Sequence, residues 1–359
     1  MSIFRTPLPV IAAITGIAAG AFTGAAVADE VSDFYSGKQL AIQVGFGAGG
    51  GYDTTSRILA RHFGKHVPGN PTVIVQNVPG AGSMKLANRI YNSVPKDGSV
   101  LGVFSSSAAM VPLYGKRKAK FDTSKFEWIG SIHSDVMACG VWKGARQGIK
   151  TLPDFVAAKK PIIFGSTGVT SPLSTFPLFL KNVLGANVKV VHGYRGTKGV
   201  SLGMQNGELD GTCGMFESSV RGAFFPSFKS GDLTLFVQLG TTRNVPLFGN
   251  ATNVFTMLKT EEQKQMARLL FGPSEITRPF TAPPGTPKAR VAALRKALLN
   301  TMKDPALVAD GKKIKTTFKP MGGAEVAAAF AAFYRTPRAL VDKTYELTIT
   351  RKNPRKKKK

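Results

Sequence analysis

The chain has 359 residues, and 48 Lys and Arg residues against 21 Asp and Glu residues give it a formal net charge of +27. This length exceeds the usual size of one hydrophobic core, so we expect two lobes. The positive charges are spread along the chain without a basic stretch interleaved with aromatic residues, which argues against nucleic acid as a partner and for a field that favours anionic ligands.

The first 28 residues have the features of a secretory signal peptide. Arg5 supplies a positive charge, an apolar run of small residues follows over 8–24, and residues 26–28 spell the A-x-A cleavage pattern. The apolar run is short for a membrane span and is diluted by Gly and Thr, so a membrane anchor is the less favoured interpretation. We therefore expect residues 1–28 to be removed on secretion and the mature chain to start near Asp29.

Predicted strands and helices alternate through the first part of the mature chain. The strands are expected at 38–45, 72–76 and 98–105, and the helices at 53–66 and 84–92. The β-branched run at 72–76 indicates a buried strand. Alternation of this kind is typical of a parallel sheet assembled from βαβ units.

Residues 129–142 are expected to be extended chain that leaves this first lobe, and a second alternation follows them. Its strands are expected at 162–165, 188–192, 209–216 and 233–239, and its helices at 172–184 and 196–206. The last part of the chain is expected to return to the first lobe. It has predicted helices at 261–271, 287–302 and 324–345, the last broken near Pro337, and predicted strands at 275–282 and 318–321.

This order predicts an α/β protein whose two lobes are joined by two chain crossings. The crossings are expected at about 137–142 and 235–240 and would form a hinge. Lobe A is then predicted to comprise 29–138 and 239–348, and lobe B to comprise 139–238. The basic end of the chain, 349–359, is predicted to be a disordered tail.

The loop between the first predicted strand and helix is rich in glycine and includes Gly49, Gly50 and Gly51. Glycine lets the backbone approach a ligand closely, and the free N–H groups at a helix start attract anions. Asp53 is either the helix N-cap or a ligand contact. A dinucleotide site is disfavoured, although the glycine spacing resembles G-x-G-x-x-G, because the next predicted strand ends Gln76-Asn77 without the acidic residue that holds a ribose.

The strand-to-helix loop of the second lobe, residues 164–172, is dense in hydroxyl groups and backbone donors and contains no acid or base. Such a loop binds a carboxylate or phosphate but supplies no proton chemistry. Ordinary capping by Ser171 before Pro172 is the alternative interpretation. Two loops of this kind, one on each lobe, lie where open α/β sheets bind their ligands.

Other constellations predict no catalytic, metal or cofactor site. His62 and His66 have i, i+4 spacing but no third ligand nearby, so they are interpreted as polar residues at a helix end. Cys139 and Cys213 could pair in an oxidising compartment or remain buried thiols, and both alternatives stay open.

Six motifs in order resemble one family, the substrate-binding receptors of tripartite tricarboxylate transporters, also called the TctC or Bug family. They cover nearly all of the mature chain: Gly49–Asp53 with Arg57, Asn77–Gly82, Pro95–Gly98, Gly165–Gly168, Gly207–Gly211 and Ala282–Pro287. One departure is Gly45-Phe46-Gly47, where the commoner family pattern has a proline. The resemblance therefore implies the family without specifying the ligand.

The resemblance implies a type II periplasmic-binding-protein fold, with two doubly wound lobes, a two-crossing hinge and a ligand cleft between the lobes. It implies a monomeric, non-enzymatic periplasmic receptor that captures a small carboxylate, either a di- or tricarboxylate or an aromatic carboxylate, and delivers it to membrane permease subunits. A ligand-sensing co-receptor of a membrane signalling protein, with the same cleft, is the alternative. The contacts implied by position are Ala48, Gly49, Gly50, Gly51 and Thr54 from the first loop and Ser166, Thr167, Gly168 and Thr170 from the second.

Two further residues are open to two interpretations each. Phe46 is either an aromatic wall of the cleft or a core residue. Arg195, after the strand predicted at 188–192, is either a cation for a second carboxylate of the ligand or part of a solvated turn.

Overall fold

We describe a computed structural model of the chain, which covers residues 30–115, 119–145, 147–240, 244–314, 316 and 318–349. The predicted signal peptide and all but the first residue of the predicted basic tail lie outside these residues. No helix within them is long and apolar enough to cross a membrane.

Strands and helices alternate over most of the described chain, after a short helical segment at 30–35. The strands are β1 (Gln39–Val44), β2 (Thr72–Asn77), β3 (Val100–Val103), β4 (Glu127–His133), β5 (Met137–Trp142), β6 (Ile162–Ser166), β7 (Val188–His192), β8 (Gly211–Phe216), β9 (Leu233–Gln238), β10 (Thr252–Asn253), β11 (Thr277–Ala282) and β12 (Met321–Gly322). The helices are α1 (Gly51–Phe63), α2 (Met84–Asn92), α3 (Ser106–Ala109), α4 (Leu152–Val156), α5 (Pro172–Leu184), α6 (Thr197–Gln205), α7 (Glu217–Arg221), α8 (Phe225–Lys229), α9 (Glu261–Phe271), α10 (Lys288–Lys303), α11 (Pro305–Lys313), α12 (Gly323–Tyr334) and α13 (Arg338–Thr348).

The first sheet has six strands in the order β12-β4-β11-β3-β1-β2. Strand β1 pairs in parallel with β2 and β3, whereas β11 is antiparallel to both β3 and β4. The prediction that β2 is buried is wrong, since its residues are exposed or half-exposed. The reason is its place at the edge of the sheet, which the β-branched composition alone does not reveal.

The second sheet repeats this arrangement in the order β10-β9-β5-β8-β6-β7. Strand β6 is parallel to β7 and β8, and β5 is antiparallel to β8 and β9. Counted from β1 in the first sheet and from β6 in the second, each sheet has its second, first and third strands side by side, followed by one strand that is antiparallel to the third. That strand is β11 in the first sheet and β5 in the second.

The chain passes from one sheet to the other at residues that differ from the predicted lobe boundaries. The first lies at 134–136, between β4 and β5, so that all of β5 belongs to the second lobe. Strand β10 still pairs with β9, which places the return after residue 253 rather than at 235–240. The predicted return crossing overlaps β9, whose mostly apolar residues are buried because this strand lies inside the second sheet.

A disulfide joins Cys139 on β5 to Cys213 on β8. Both residues are fully buried, and their strands are neighbours in the second sheet. The sequence separation of 74 residues shows why spacing alone left the pairing open, since the two cysteines meet only once the sheet has formed.

Candidate binding cleft

The two predicted loops face each other across a cavity between the lobes, with an empty volume of about 440 Å³ when the open solvent at its mouth is included. The first loop leaves β1 and the second leaves β6, so both lie at carboxyl ends of parallel strands. Phe46, Gly50 and Tyr52 line the cavity from the first lobe. Thr167 and Ser171 line it from the second.

Asp53 is nearly fully buried, with 3% of its surface exposed, and it organises the first loop. Its carboxylate accepts hydrogen bonds from the Gly49 amide (2.8 Å), Arg57 Nε (2.9 Å) and Asn77 Nδ2 (2.8 Å). The N-cap of α1 is Gly50, so the predicted capping role of Asp53 is wrong. The carboxylate acts instead as a clamp that holds the glycine loop against β2.

The hydrogen bonds to Asp53 also determine its protonation. Burial alone would raise the pKa of this carboxyl, but the donors on Arg57, Gly49 and Asn77 outweigh burial and hold the pKa below its ordinary value. Asp53 is therefore ionised at neutral pH, and its charge is used within the loop.

Ser166 and Thr167 shape the second loop. Ser166 Oγ is buried, accepts a hydrogen bond from the Gly168 amide and donates one to the Gly168 carbonyl. Thr167 Oγ1 donates to Ser171 Oγ (2.9 Å), and Ser171 caps α5 by accepting from the Leu173 amide. Ser171 therefore caps α5, as the alternative interpretation of this loop holds, and it also lines the cavity.

Two contacts close the lobes on each other at either side of the cleft. Thr170 Oγ1 donates to the Ala81 carbonyl (3.4 Å), and Gly168 lies so close to Gly82 that a Cβ there would be 2.6 Å from the Gly82 amide nitrogen. Elsewhere, the Gly47 amide donates to the Arg195 carbonyl (2.9 Å). Gly168, Thr170 and the Arg195 backbone are therefore lobe-to-lobe contacts in this structure.

The remaining predicted residues have different surroundings. Ala48 and Gly49 are exposed at the loop tip, and the Arg195 side chain is exposed as well. Thr54 lines a second cavity, described below. Phe46 packs against the core and also lines the cleft, with its ring centroid 4.4 Å from that of Tyr52, so its two interpretations hold together.

Thr197 is a cleft residue that the sequence did not single out. Its Oγ1 is buried and has no hydrogen-bond partner among the described residues. It lies beside Gly50, where a Cβ would be 3.2 Å from this hydroxyl. A buried hydroxyl without a partner is costly, so a ligand group that accepts its hydrogen bond would be favoured.

Arg278 is the second residue that sequence reasoning missed. It is fully buried on β11, and its guanidinium carbon lies 5.4 Å and 5.6 Å from the ring centroids of Tyr52 and Phe216. Burial lowers the pKa of this guanidinium, while the nearby Asp135 carboxylate raises it. The sequence held a signal for this residue, because an arginine inside a predicted strand is buried only when partners or ligands compensate its charge.

The described residues contain no group of three or more His, Cys, Asp or Glu side chains placed so that it could hold a metal ion. His62 and His66 contact Asp310 Oδ2 (2.9 Å) and Asp304 Oδ2 (3.0 Å), respectively. They link α1 and the turn after it to the helices near residues 304–313.

Two lobes of matching strand order, two crossings between them and a cleft at the carboxyl ends of their strands define the class of two-lobed periplasmic binding proteins. Solved structures share this fold. The periplasmic binding protein BugD is 18% identical, with a TM-score of 0.67 over 87% of this chain and 98% of its own. MatC from Rhodopseudomonas palustris with bound malate is 16% identical, with a TM-score of 0.64 over 87% and 99%. A second R. palustris protein, with adipate, is 16% identical, with a TM-score of 0.66 over 87% and 97%.

The chain belongs to the tripartite tricarboxylate transporter family receptors, TctC, whose sequence profile matches residues 56–320. No curated protein sequence matches it.

Proposed function

We propose that the protein is a periplasmic receptor that captures a small carboxylate in the cleft between its lobes and delivers it to the membrane subunits of a tripartite tricarboxylate transporter. The observation that carries this proposal is the lining of the 440 Å³ cavity. Its described residues supply hydroxyl groups, aromatic rings and the glycine-rich start of a 13-residue helix, without an Asp or Glu. An anion is favoured there by the first amides of the helix, which have no acceptor within the helix, and by the helix dipole.

The same lining supports binding without catalysis. Tyr52 is the titratable side chain among the described lining residues, and burial raises its pKa to about 12 although Arg278 lowers it. The phenol is therefore neutral at physiological pH and cannot serve as a general base. Membership of a receptor family agrees with this role.

A thermal-shift screen of the mature chain from Asp29 tests the proposal. The protein is unfolded, dialysed and refolded first, so that any co-purified ligand is removed. A carboxylate at 100 times its dissociation constant should stabilise the fold by about 2.7 kcal/mol, whereas sugars and nucleotides should not. If no mono-, di- or tricarboxylate shifted the melting temperature of the refolded protein, the proposal would be wrong.

Thr197→Val locates the ligand within the cleft. The substitution removes the buried hydroxyl beside Gly50 and keeps the shape of the side chain, so affinity for the carboxylate found in the screen should fall about tenfold. Titration calorimetry measures the loss. Thr256→Val, at an exposed threonine, is the matched control and should leave affinity unchanged.

A further inference from the structure

A second cavity lies directly beside the cleft, on the other side of the glycine loop, with an empty volume of about 700 Å³. Three cationic side chains line it: Arg221, Arg278 and Lys313. Its described lining includes five hydroxyl residues and no Asp or Glu. A cavity with this lining has the composition of an anion site.

The three cations differ in what already neutralises them. Arg221 lies 2.9 Å from Glu217, and Lys313 lies 3.0 Å from Asp310. Lys313 is also 77% exposed, so its contribution is screened by solvent. Arg278 is paired with Asp135 at 3.5 Å, and of the three it has the fully buried side chain.

Arg278 keeps donors that the described protein does not use. Its Nη2 donates to Ser218 Oγ (2.5 Å), and Ser218 Oγ in turn donates to Asp135 Oδ2 (2.8 Å). Nη1 lies 3.5 Å from the same Asp135 oxygen, which is longer than a charge-assisted hydrogen bond of about 2.7–2.9 Å. Nε and Nη1 make no hydrogen bond with any described residue. Two buried donors on a cation carry a large desolvation cost unless an acceptor joins them.

The backbone at Arg278 supports a functional origin of this geometry. Its φ is +57°, a left-handed conformation that costs a non-glycine residue energy, at the second residue of β11. Strained residues of this kind persist at binding sites, where the surrounding structure holds them.

The two cavities adjoin at Gly51 and Ser219, which line both. A Cβ at Gly51 would lie 2.7 Å from Arg278 Nη2 and 3.1 Å from Ser219 Oγ, so only glycine leaves room between the helix start and the guanidinium. A ligand that passes this glycine therefore extends from the cleft loops towards Arg278.

We propose that the second cavity is a subsite for a second carboxylate of the same ligand, with Arg278 as the cation that binds it and Ser219 and Thr54 as hydroxyl donors beside it. The inference rests on the proposed function and narrows it: the ligand is a dicarboxylate, held at one end by the cleft loops and at the other by Arg278. Arg195, which the sequence left open between a cation for a second carboxylate and a solvated turn, is not among the lining residues of this cavity.

Titration calorimetry with chain-length pairs tests the subsite. Succinate is compared with butyrate, and adipate with hexanoate, on the ligand-free mature chain. The wild type should prefer a dicarboxylate of one of these lengths over its monocarboxylate partner by at least about tenfold. Arg278→Gln should lower the affinity for that dicarboxylate by about 10- to 100-fold and the affinity for the monocarboxylate by less than about threefold. Arg335→Gln, at an exposed arginine, should change neither.

Thermal unfolding shows whether Arg278→Gln still folds. If it does not, Ser219→Ala and Thr54→Val report on the same cavity, and each should weaken the dicarboxylate more than the monocarboxylate. The inference would be overturned if the wild type bound the dicarboxylate and the monocarboxylate of both pairs with equal affinity. It would also be overturned if the variants lost equal affinity for both members of a pair. Either result would leave carboxylate capture intact. If none of the four compounds and no member of the wider carboxylate panel bound to the protein, the proposed function itself would be overturned.

Discussion

Two buried charged residues at this cleft, Asp53 and Arg278, differ in how fully their hydrogen-bonding groups are satisfied. Asp53 satisfies three donors around the glycine loop and so holds the loop in one conformation. Arg278 pairs with Asp135 at 3.5 Å, but its Nε and Nη1 make no hydrogen bond with a described residue. The Asp53 carboxylate is therefore satisfied within the protein, whereas Arg278 has donors that the proposed second carboxylate would use.

Removal of the Asp53 carboxylate should lower the free energy of unfolding by a measurable amount. Asp53→Ala leaves the Gly49 amide and the Arg57 and Asn77 side chains without their shared acceptor, so the free energy of unfolding should fall by about 1–3 kcal/mol. Urea denaturation measures the change. Glu261→Ala breaks an exposed ion pair with Arg268 and should cost less than about 1 kcal/mol. Equal losses in the two variants would show that the three hydrogen bonds to Asp53 stabilise the fold no more than an exposed ion pair does.

At the scale of elements, charged pairs fasten α1 and the turn after it to the helices of the last third of the chain. Asp310 on α11 is contacted by Arg61 (2.7 Å) and His62 (2.9 Å). Asp304, the N-cap of α11, is contacted by Lys65 (2.5 Å) and His66 (3.0 Å). Helix α11 was not predicted, because its residues PALVADGKK have weak amphipathic patterning and its position depends on these pairs.

These pairs predict a loss of stability in acid. Hydrogen bonds from Lys65 and His66 lower the pKa of Asp304, and those from Arg61 and His62 lower the pKa of Asp310. A lowered folded-state pKa contributes stability that is complete above the unfolded value, about 3.9, and is lost as pH falls towards the folded value. The urea midpoint of the wild type should therefore decrease below about pH 4.

The double variant Asp304→Asn with Asp310→Asn isolates this effect. It cannot protonate at these positions, so its urea midpoint should depend less steeply on pH in the same window, while Asn at 304 still caps α11. Asp342→Asn, at an i, i+4 pair with Arg338, serves as the control and should retain the wild-type slope. Identical slopes in all three proteins would mean that the pairs do not stabilise the folded state.

For the whole molecule, the decisive feature is the contact between lobes. The lobes meet at Gly168 against Ala81 and Gly82, and at Gly47 against Arg195. Both contacts join backbone to backbone, so they allow no added side chain. Hinge closure of this kind brings the two ligand loops together and excludes solvent from the cleft.

A side chain at position 168 should therefore hold the lobes apart. In Gly168→Val the new Cβ would lie 2.6 Å from the Gly82 amide nitrogen and 2.8 Å from the Ala81 carbonyl carbon. We expect an increased radius of gyration in small-angle scattering with ligand present and an affinity at least about tenfold weaker, since relieving such overpacking costs about 1–3 kcal/mol. Gly144→Ala has no heavy atom within 4 Å of its added Cβ and should behave as wild type. A compact, tight-binding Gly168→Val protein would show that closure at this point is dispensable.

The sequence by itself determined most of the longer helices and strands and the α/β class of the fold. The bounds of α2, α5, β7 and α9 agree with the predicted 84–92, 172–184, 188–192 and 261–271, and the break near Pro337 separates α12 from α13. These features are local, because hydrophobic periodicity, glycine loops and proline act within a few residues. The order of motifs was sufficient for the family, which the match over 56–320 confirms.

Only the tertiary structure decided which lobe a strand joins and which polar side chains face the cleft. Strand β9 has the composition of any buried strand, and its pairing with β5 and β10 assigns it to the second lobe. Arg278, at the far end of the sequence from the glycine loop, meets Gly51 because β11 returns to the first sheet beside β3. Contacts between residues so distant in sequence follow from how the sheets pair and the lobes close, and no local pattern records them.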